Sequence, residues 1–114
     1  VEGICSSFGV SAEVKYETTC PVTFNQVPQA EAATKAAITL LGEDKCNGDI
    51  DPRPFSEDFS IMSENTPGCF VLMGNGISGS YGRPLHSADY DFNDELLVKG
   101  SSYWVELAEQ QLKL

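Results

Sequence analysis

The apolar run at residues 69–73, with the sequence CFVLM, constrains the fold of this chain more than any other feature. Pro67 and Gly68 precede the run and Gly74 follows it. Successive apolar residues between turn residues predict a strand that is covered on both faces. Such a strand needs strand neighbours at its edges and helices on its faces. We therefore predict an α/β fold.

The clearest early helix is predicted at residues 29–41, a segment rich in alanine. Pro28 suits the first turn of a helix, and Gly42 suits its end. The predicted buried face consists of Ala33, Ala36, Ala37 and Leu40.

A second long helix is predicted near the end of the chain, beginning at Asn93 or Asp94. Apolar residues recur there with helical period and define one face of the helix. Trp104 lies on this face, and we predict that it belongs to the core. The other members of the face are Leu97, Gly100, Leu107 and Ala108.

Shorter elements complete the predicted secondary structure. Residues 1–8 are typical of the last turns of a helix, which Gly9 ends. Residues 11–19 alternate between apolar and polar side chains and predict a half-solvated strand. A short helix is predicted to begin at Glu57, where Glu57 and Asp58 favour the positive end of the helix dipole. Since adjacent helical residues point about 100° apart, we do not interpret these two carboxylates as a catalytic pair.

Residues 74–84 contain four glycines and predict a surface loop. Gly74, Gly76 and Gly79 fit the pattern G-x-G-x-x-G of dinucleotide-binding folds. In those folds the third glycine opens a helix, whereas residues 80–84 are rich in turn formers. We therefore interpret the glycines as features of a shaped loop.

Composition and charge restrict the classes of function. The formal net charge of −10, with only seven Lys and Arg residues, argues against a nucleic-acid partner. No apolar run is long enough to span a bilayer, and the first residues lack the pattern of a signal peptide, so a cytoplasmic location is expected. The four cysteines have no C-x-x-C spacing. We predict free thiols, although an even number also permits two disulfides.

His86 is the only histidine of the chain. It lies between a glycine-rich loop and a predicted helix start, where active-site residues commonly project. An ordinary surface histidine is the simpler interpretation of the position by itself. Asp89, Asp91 and Asp94 follow closely and can either orient the imidazole or form a solvated turn and a helix cap.

Several short segments between residues 57 and 94 follow one another in a specific order: EDF at 57–59, PG at 67–68 with F at 70, G at 74, LH at 85–86 and YDFND at 90–94. In these segments the chain resembles the zinc-peptidase-related amidohydrolases. That family contains hippurate hydrolase, N-acyl-amino-acid deacylases and plant auxin-conjugate hydrolases. The resemblance extends over nearly the whole chain but only about the last third of a family enzyme.

The resemblance implies the C-terminal part of a zinc-peptidase-like catalytic domain, with a mixed sheet flanked by helices. Residues 1–20 would be the end of a lid, or dimerisation, domain, and residues 21–114 the C-terminal portion of the catalytic domain. The intact parent is expected to hydrolyse the amide bond of N-acyl-amino acids or related small conjugates.

The resemblance also implies roles for individual residues. In family enzymes the histidine at the position of His86 binds one ion of a site for two zinc or manganese ions. These ions activate a water molecule. Asn25 and Gly74 correspond to positions near the substrate. No residue of this chain corresponds to the catalytic glutamate, which belongs to the N-terminal half of a family enzyme.

One histidine does not supply a two-metal site. We therefore expect the chain alone to be inactive, to bind no metal tightly, and to associate with itself or with a missing N-terminal half. An N-terminal half on a separate polypeptide would restore activity only on mixing. The alternative is a noncatalytic binding or regulatory module that docks on another subunit.

Overall fold

The computed structural model describes residues 1–113. Its regular elements are four α-helices and two short 3-10 turns. In chain order the helices are α1 (Glu2–Ser7), α2 (Val27–Leu41), α3 (Phe59–Ser63) and α4 (Glu95–Leu112). The 3-10 turns are Glu43–Lys45 and Gly79–Gly82. Across residues 1–113, none of the helices combines the length and apolar character that crossing a membrane requires.

The prediction of a mixed sheet is wrong, because residues 1–113 contain no β-strand. Residues 22–26 and 68–70 do meet, but one backbone bond joins them, from the Gln26 amide to the Gly68 carbonyl at 3.2 Å. The other bonds come from side chains: Asn25 binds the backbone of Phe70, and Gln26 accepts from the Gly68 amide. A β-ladder requires repeated hydrogen bonds between two backbones. Here most of the bonds come from the side chains of Asn25 and Gln26, so no ladder forms.

The two segments predicted as strands are consequently exposed. In the run 69–73, Val71, Leu72 and Met73 are 44%, 55% and 45% exposed. The run has an apolar sequence, but the described residues provide it with no strand neighbours. Residues 11–19 are exposed throughout and have no regular structure. An alternating pattern forms a strand only where a neighbouring strand supplies hydrogen bonds.

The small core lies where α2 packs against α4. Ala33 and Ala36 of α2 and Tyr103 of α4 are its buried hydrophobic residues, and the Tyr103 hydroxyl lies 3.5 Å from the Ala33 carbonyl oxygen. The prediction of a core role for Trp104 is wrong, since Trp104 is 63% exposed. Successive helical residues point about 100° apart, so burying Tyr103 turns its neighbour outward.

The predictions of helix ends from proline and glycine agree with the structure better than the predictions of strands. The predicted helix at α2 is confirmed, with Pro28 in its first turn and Gly42 at its end with a φ of 90°. The predicted helix end near the start of the chain is also confirmed by α1, and Gly9 has a φ of 67°. Helix α3 begins at Phe59, slightly later than predicted.

The chain is much more open than an independent domain of its size. Its radius of gyration is 19.9 Å and its extents are 66 × 37 × 21 Å. A compact chain of this length has a radius of gyration of about 13 Å. The accessible surface is 9448 Å², whereas a compact monomer of 12.3 kDa exposes about 6,100 Å². Roughly 3,300 Å² of surface is therefore exposed beyond what a compact fold of this mass leaves in water.

Candidate functional site

His86 lies in a tight turn on the long loop that connects the run 69–73 to α4. The Ser87 amide donates to the Pro84 carbonyl at 3.2 Å, which closes the turn around Leu85 and His86. His86 has a φ of 68°, in the left-handed region. This region costs a non-glycine residue about 1–2 kcal/mol, although histidine is found there more often than most residues. The turn presents an exposed imidazole to solvent.

An ion pair and a second turn support the His86 turn from both sides. Arg83 Nε lies 3.0 Å from Asp89 Oδ2, and the Tyr90 amide donates to the Ser87 carbonyl at 3.1 Å. Both charged side chains are more than half exposed, so the ion pair contributes at most about 1 kcal/mol. Asp89 is therefore bound to Arg83 in this structure.

Two glycines allow the first part of the loop to fold back on itself. A Cβ atom on Gly82 would lie 2.7 Å from the Ile77 carbonyl carbon, and one on Gly76 would lie 2.8 Å from Tyr81 Cβ. Gly74, by contrast, has open space within 4 Å of its Cβ position. The glycine-rich pattern of the sequence thus reflects close backbone approaches at Gly76 and Gly82.

Asn75 joins the two ends of the loop that carries His86. Its side-chain nitrogen donates to the Tyr81 carbonyl at 3.0 Å and to the Asp91 carbonyl at 2.8 Å. Its side-chain oxygen accepts from the Asn93 amide at 2.9 Å, and its backbone carbonyl accepts from Asn93 Nδ2 at 3.2 Å. We call these four hydrogen bonds the Asn75 network.

Asn25 lies at the opposite end of the run 69–73 from Gly74. Its Nδ2 donates to the Phe70 carbonyl at 2.9 Å, and its Oδ1 accepts from the Phe70 amide at 2.7 Å. The side chain thus pairs with one residue of the run as a neighbouring strand would. The substrate-binding roles of Asn25 and Gly74 stay predictions.

The residues that the structure describes do not by themselves form a metal site. Within residues 1–113, no group of three or more His, Cys, Asp or Glu side chains is placed to hold a metal ion. His86 is exposed and has the free imidazole chemistry that metals accept. All four cysteines have free thiols, and burial raises the pKa of the Cys69 thiol. A thiol with a raised pKa is a poorer metal ligand, since the thiolate is the binding form.

Among the open grooves on the surface of residues 1–113, two lie beside the long helices. The larger, of about 1200 Å³, lies between α2 and the segments around residues 20–25 and 48–56. The smaller, of about 440 Å³, lies between α4 and the end of the run 69–73. Leu97 and Trp104, two members of the predicted apolar face of α4, line this smaller groove together with Val71 and Met73.

Comparison with known proteins places these features in a family. Residues 3–110 match the family described as Peptidase family M20/M25/M40. The chain belongs to this family. The resemblance to metal-dependent amidohydrolases that the sequence indicated is thereby confirmed. M20 peptidases generally use divalent metal ions.

Curated M20 relatives carry the names of enzymes that act on small amides. The chain is 30% identical over 112 residues to hippurate hydrolase of Campylobacter jejuni, covering 98% of this chain and 28% of the relative. It is 33% identical over 107 residues to N-acetylcysteine deacetylase of Bacillus subtilis, covering 94% and 26%. It is 32% identical over 100 residues to IAA-amino acid hydrolase ILR1-like 2 of Arabidopsis thaliana, covering 82% and 21%. The chain thus spans about a quarter of the length of these relatives, and no solved structure matches it.

Sequence reasoning missed the two residues that organise this M20 chain. Asn75 lies between two glycines at the start of the glycine-rich loop, a position where asparagine commonly binds nearby backbone. Tyr103 is the neighbour of a more conspicuous tryptophan on a helix with apolar residues on several sides. The first had a recognisable signal, whereas choosing between Tyr103 and Trp104 required the position of α2.

Proposed function

We propose that this chain is the C-terminal portion of a metal-dependent amidohydrolase that hydrolyses the amide bond of N-acyl-amino acids or similar small conjugates. Residues 1–20 would form the end of the lid domain, and residues 21–114 part of the catalytic domain. The names of the curated relatives, which cover hippurate, N-acetylcysteine and IAA-amino acid substrates, support this class of substrate.

The observation that supports the interpretation of the chain as a portion of a larger enzyme is the amount of exposed surface. The chain leaves about 3,300 Å² more surface in water than a compact fold of its mass. A standard interface buries about 800 Å² on each partner, so the excess equals several such interfaces. A chain that spans about a quarter of its relatives has this surface available for the rest of a catalytic domain.

The exposed surface has the character of an interior. Trp104, Leu97 and Leu72 are more than half exposed. Soluble monomers rarely leave large contiguous apolar patches in water. We therefore infer that the groove beside α4 and the run 69–73 are covered by the N-terminal part of the enzyme.

His86 would supply one ligand to a site of two zinc or manganese ions, with the other ligands from the N-terminal part. The bound ions would activate water and polarise the amide carbonyl. The exposed imidazole on a shaped loop supports this role. Asn25 and Gly74 are proposed as residues near the substrate, at the two ends of the run 69–73.

Calorimetry with zinc and with manganese tests the proposal on the 114-residue chain, alone and after mixing with an N-terminal portion of a family enzyme. We expect weak or absent binding by the chain alone. Mixing should produce tight binding and amide hydrolysis. His86→Ala should abolish the gain in metal binding, because it removes the single imidazole of the chain.

Two results would contradict the proposal. Tight binding of two ions by the chain alone would show that the described ligands form a complete site. No gain on mixing, although a stable complex forms, would favour a noncatalytic module that docks on another subunit. Trp104→Ala tests association separately from metal binding. It should weaken complex formation, while the His86 imidazole stays in place.

A further inference from the structure

The loop that carries His86 has little of its own to hold one shape. Between Gly76 and Phe92 its only regular element is the 3-10 turn Gly79–Gly82. Most of its residues are exposed. Its left-handed residue, His86, is held against an intrinsic cost of about 1–2 kcal/mol. A strained conformation on an exposed loop persists only where surrounding contacts fix it.

The Asn75 network is the set of contacts that joins the two ends of the loop. One side chain reaches a carbonyl 6 residues further along the chain and another 16 residues further along, so it binds the loop near its middle and at its end. Both N–H groups and the oxygen of the Asn75 amide are in use. Only an amide has two donors and one acceptor in this planar arrangement.

Asn93 connects this network to the rigid helix that follows. Its Oδ1 accepts from the Glu95 amide at 3.2 Å, and its carbonyl accepts from the Leu96 amide at 2.9 Å. Asn93 thus acts at the start of α4, where free N–H groups require acceptors. The loop is therefore attached through two asparagines to the one long helix that contributes Tyr103 to the core.

We propose that Asn75 is a positioning residue for His86: by joining both ends of the loop, it holds His86 in its left-handed turn. The consequence for metal binding rests on the proposed function, in which His86 is a ligand. Asn75 itself touches neither metal nor substrate in this proposal. A turn that is populated only part of the time lowers the apparent metal affinity by the same fraction.

The test variant is Asn75→Asp in the full 114-residue chain. The substitution keeps the shape and the acceptor for the Asn93 amide. It replaces two donors by a charged oxygen that faces the Tyr81 and Asp91 carbonyls. Asn65→Asp is the matched control, because Asn65 is exposed and the chemical change is identical.

The first readout is the three-bond coupling between the His86 Hα proton and the carbonyl carbon of Leu85, which is large only when φ is positive and is unambiguous for a single histidine. Asn75→Asp should shift this coupling towards a conformational average and increase amide hydrogen exchange across residues 84–90. Asn65→Asp should leave both unchanged. An unchanged coupling in folded Asn75→Asp would overturn the proposal.

The second readout is zinc affinity of the complex with the N-terminal portion of a family enzyme. We expect Asn75→Asp to lower it by the factor by which the left-handed conformer of His86 loses population. If the wild-type complex binds no zinc through His86, the proposed function fails, but the coupling still decides whether Asn75 positions His86. If zinc binds through His86 and Asn75→Asp matches Asn65→Asp, the positioning role is wrong and the proposed function stands.

A second variant covers the case in which Asn75→Asp does not fold. Asn93→Asp retains the acceptor for the Glu95 amide and removes only the donor to the Asn75 carbonyl. It should change the His86 coupling in the same direction by a smaller amount. No change in a folded Asn93→Asp chain, with Asn75→Asp unfolded, would overturn the proposal.

Discussion

The contact between α2 and α4 and the loop from Asn75 to Asn93 are held by different interactions. The helix contact is apolar and small, with two alanines and one tyrosine as its buried hydrophobic residues. The two ends of the loop are joined by hydrogen bonds of the Asn75 and Asn93 side chains with the backbone. Packing thus fixes the helices, and directional polar bonds fix the loop that presents His86.

The difference teaches where this chain is self-sufficient. Hydrogen bonds within the described residues join the two ends of the loop. The helix pair and the run 69–73, by contrast, leave Trp104, Leu97 and Leu72 in water. Apolar burial is the main favourable term in folding, so these are the regions that the rest of the catalytic domain would cover under the proposed function.

The largest expected effect distinguishes Tyr103 from its neighbour. Tyr103→Ala should lower the free energy of unfolding by about 3–5 kcal/mol, as for other buried aromatic residues. Trp104→Ala should cost no more than about 1.5 kcal/mol, because its main loss is the edge-to-face contact of the two rings. Urea unfolding followed by circular dichroism measures both. Equal losses would show that α4 is rotated relative to this structure.

A glycine pair tests the packing of the loop against itself. Gly82→Ala should destabilise the loop by about 1–3 kcal/mol, since the new methyl group meets the backbone of Ile77 at 2.7 Å. Gly74→Ala is the control, because open space surrounds its Cβ position. Hydrogen exchange of residues 76–92 reports the local effect. Similar protection in both variants would refute the close approach.

We call the two hydrogen bonds between the Asn25 side chain and the Phe70 backbone the Asn25 bridge. Removing it is expected to destabilise the chain as much as Gly82→Ala or less. Asn25→Asp retains the acceptor for the Phe70 amide but places a charged oxygen against the Phe70 carbonyl. The loss should be about 1–3 kcal/mol, the cost of leaving a polar group without its partner. Urea unfolding compared with Asn65→Asp measures it. A loss no larger than that of the control would show that the bridge contributes nothing.

Alkaline pH should produce the smallest effect. Burial, and to a lesser extent the nearby Cys69, raises the pKa of Tyr103 from its ordinary 10.0, and burial raises the pKa of Cys69 from 9.0. The folded chain therefore holds these protons more tightly than the unfolded chain. The corresponding stability is present below about pH 9 and is lost as the pH rises through the folded pKa values.

Unfolding in urea at a series of pH values checks this dependence. The double variant Tyr103→Phe with Cys69→Ser should have a flatter profile above about pH 9, because neither new side chain titrates there. A wild-type profile that is equally flat would contradict the burial of these two groups.

Sequence alone determined the features that depend on neighbouring residues. Pro28 and Gly42 delimit α2, Gly9 follows α1, and the order of short motifs from residue 57 to residue 94 identified the family. Backbone preferences of proline and glycine act within one turn, so they can be read without a fold.

Tertiary structure decided the rest. It placed Tyr103 instead of Trp104 against α2, because the buried side of a helix depends on where its partner lies. It left the run 69–73 without strand neighbours, since apolar sequence provides the tendency to form a strand and another segment must provide the hydrogen bonds. It also brought Asn75 to Asp91 and Asn93, distant partners that the local signal at Asn75 does not specify.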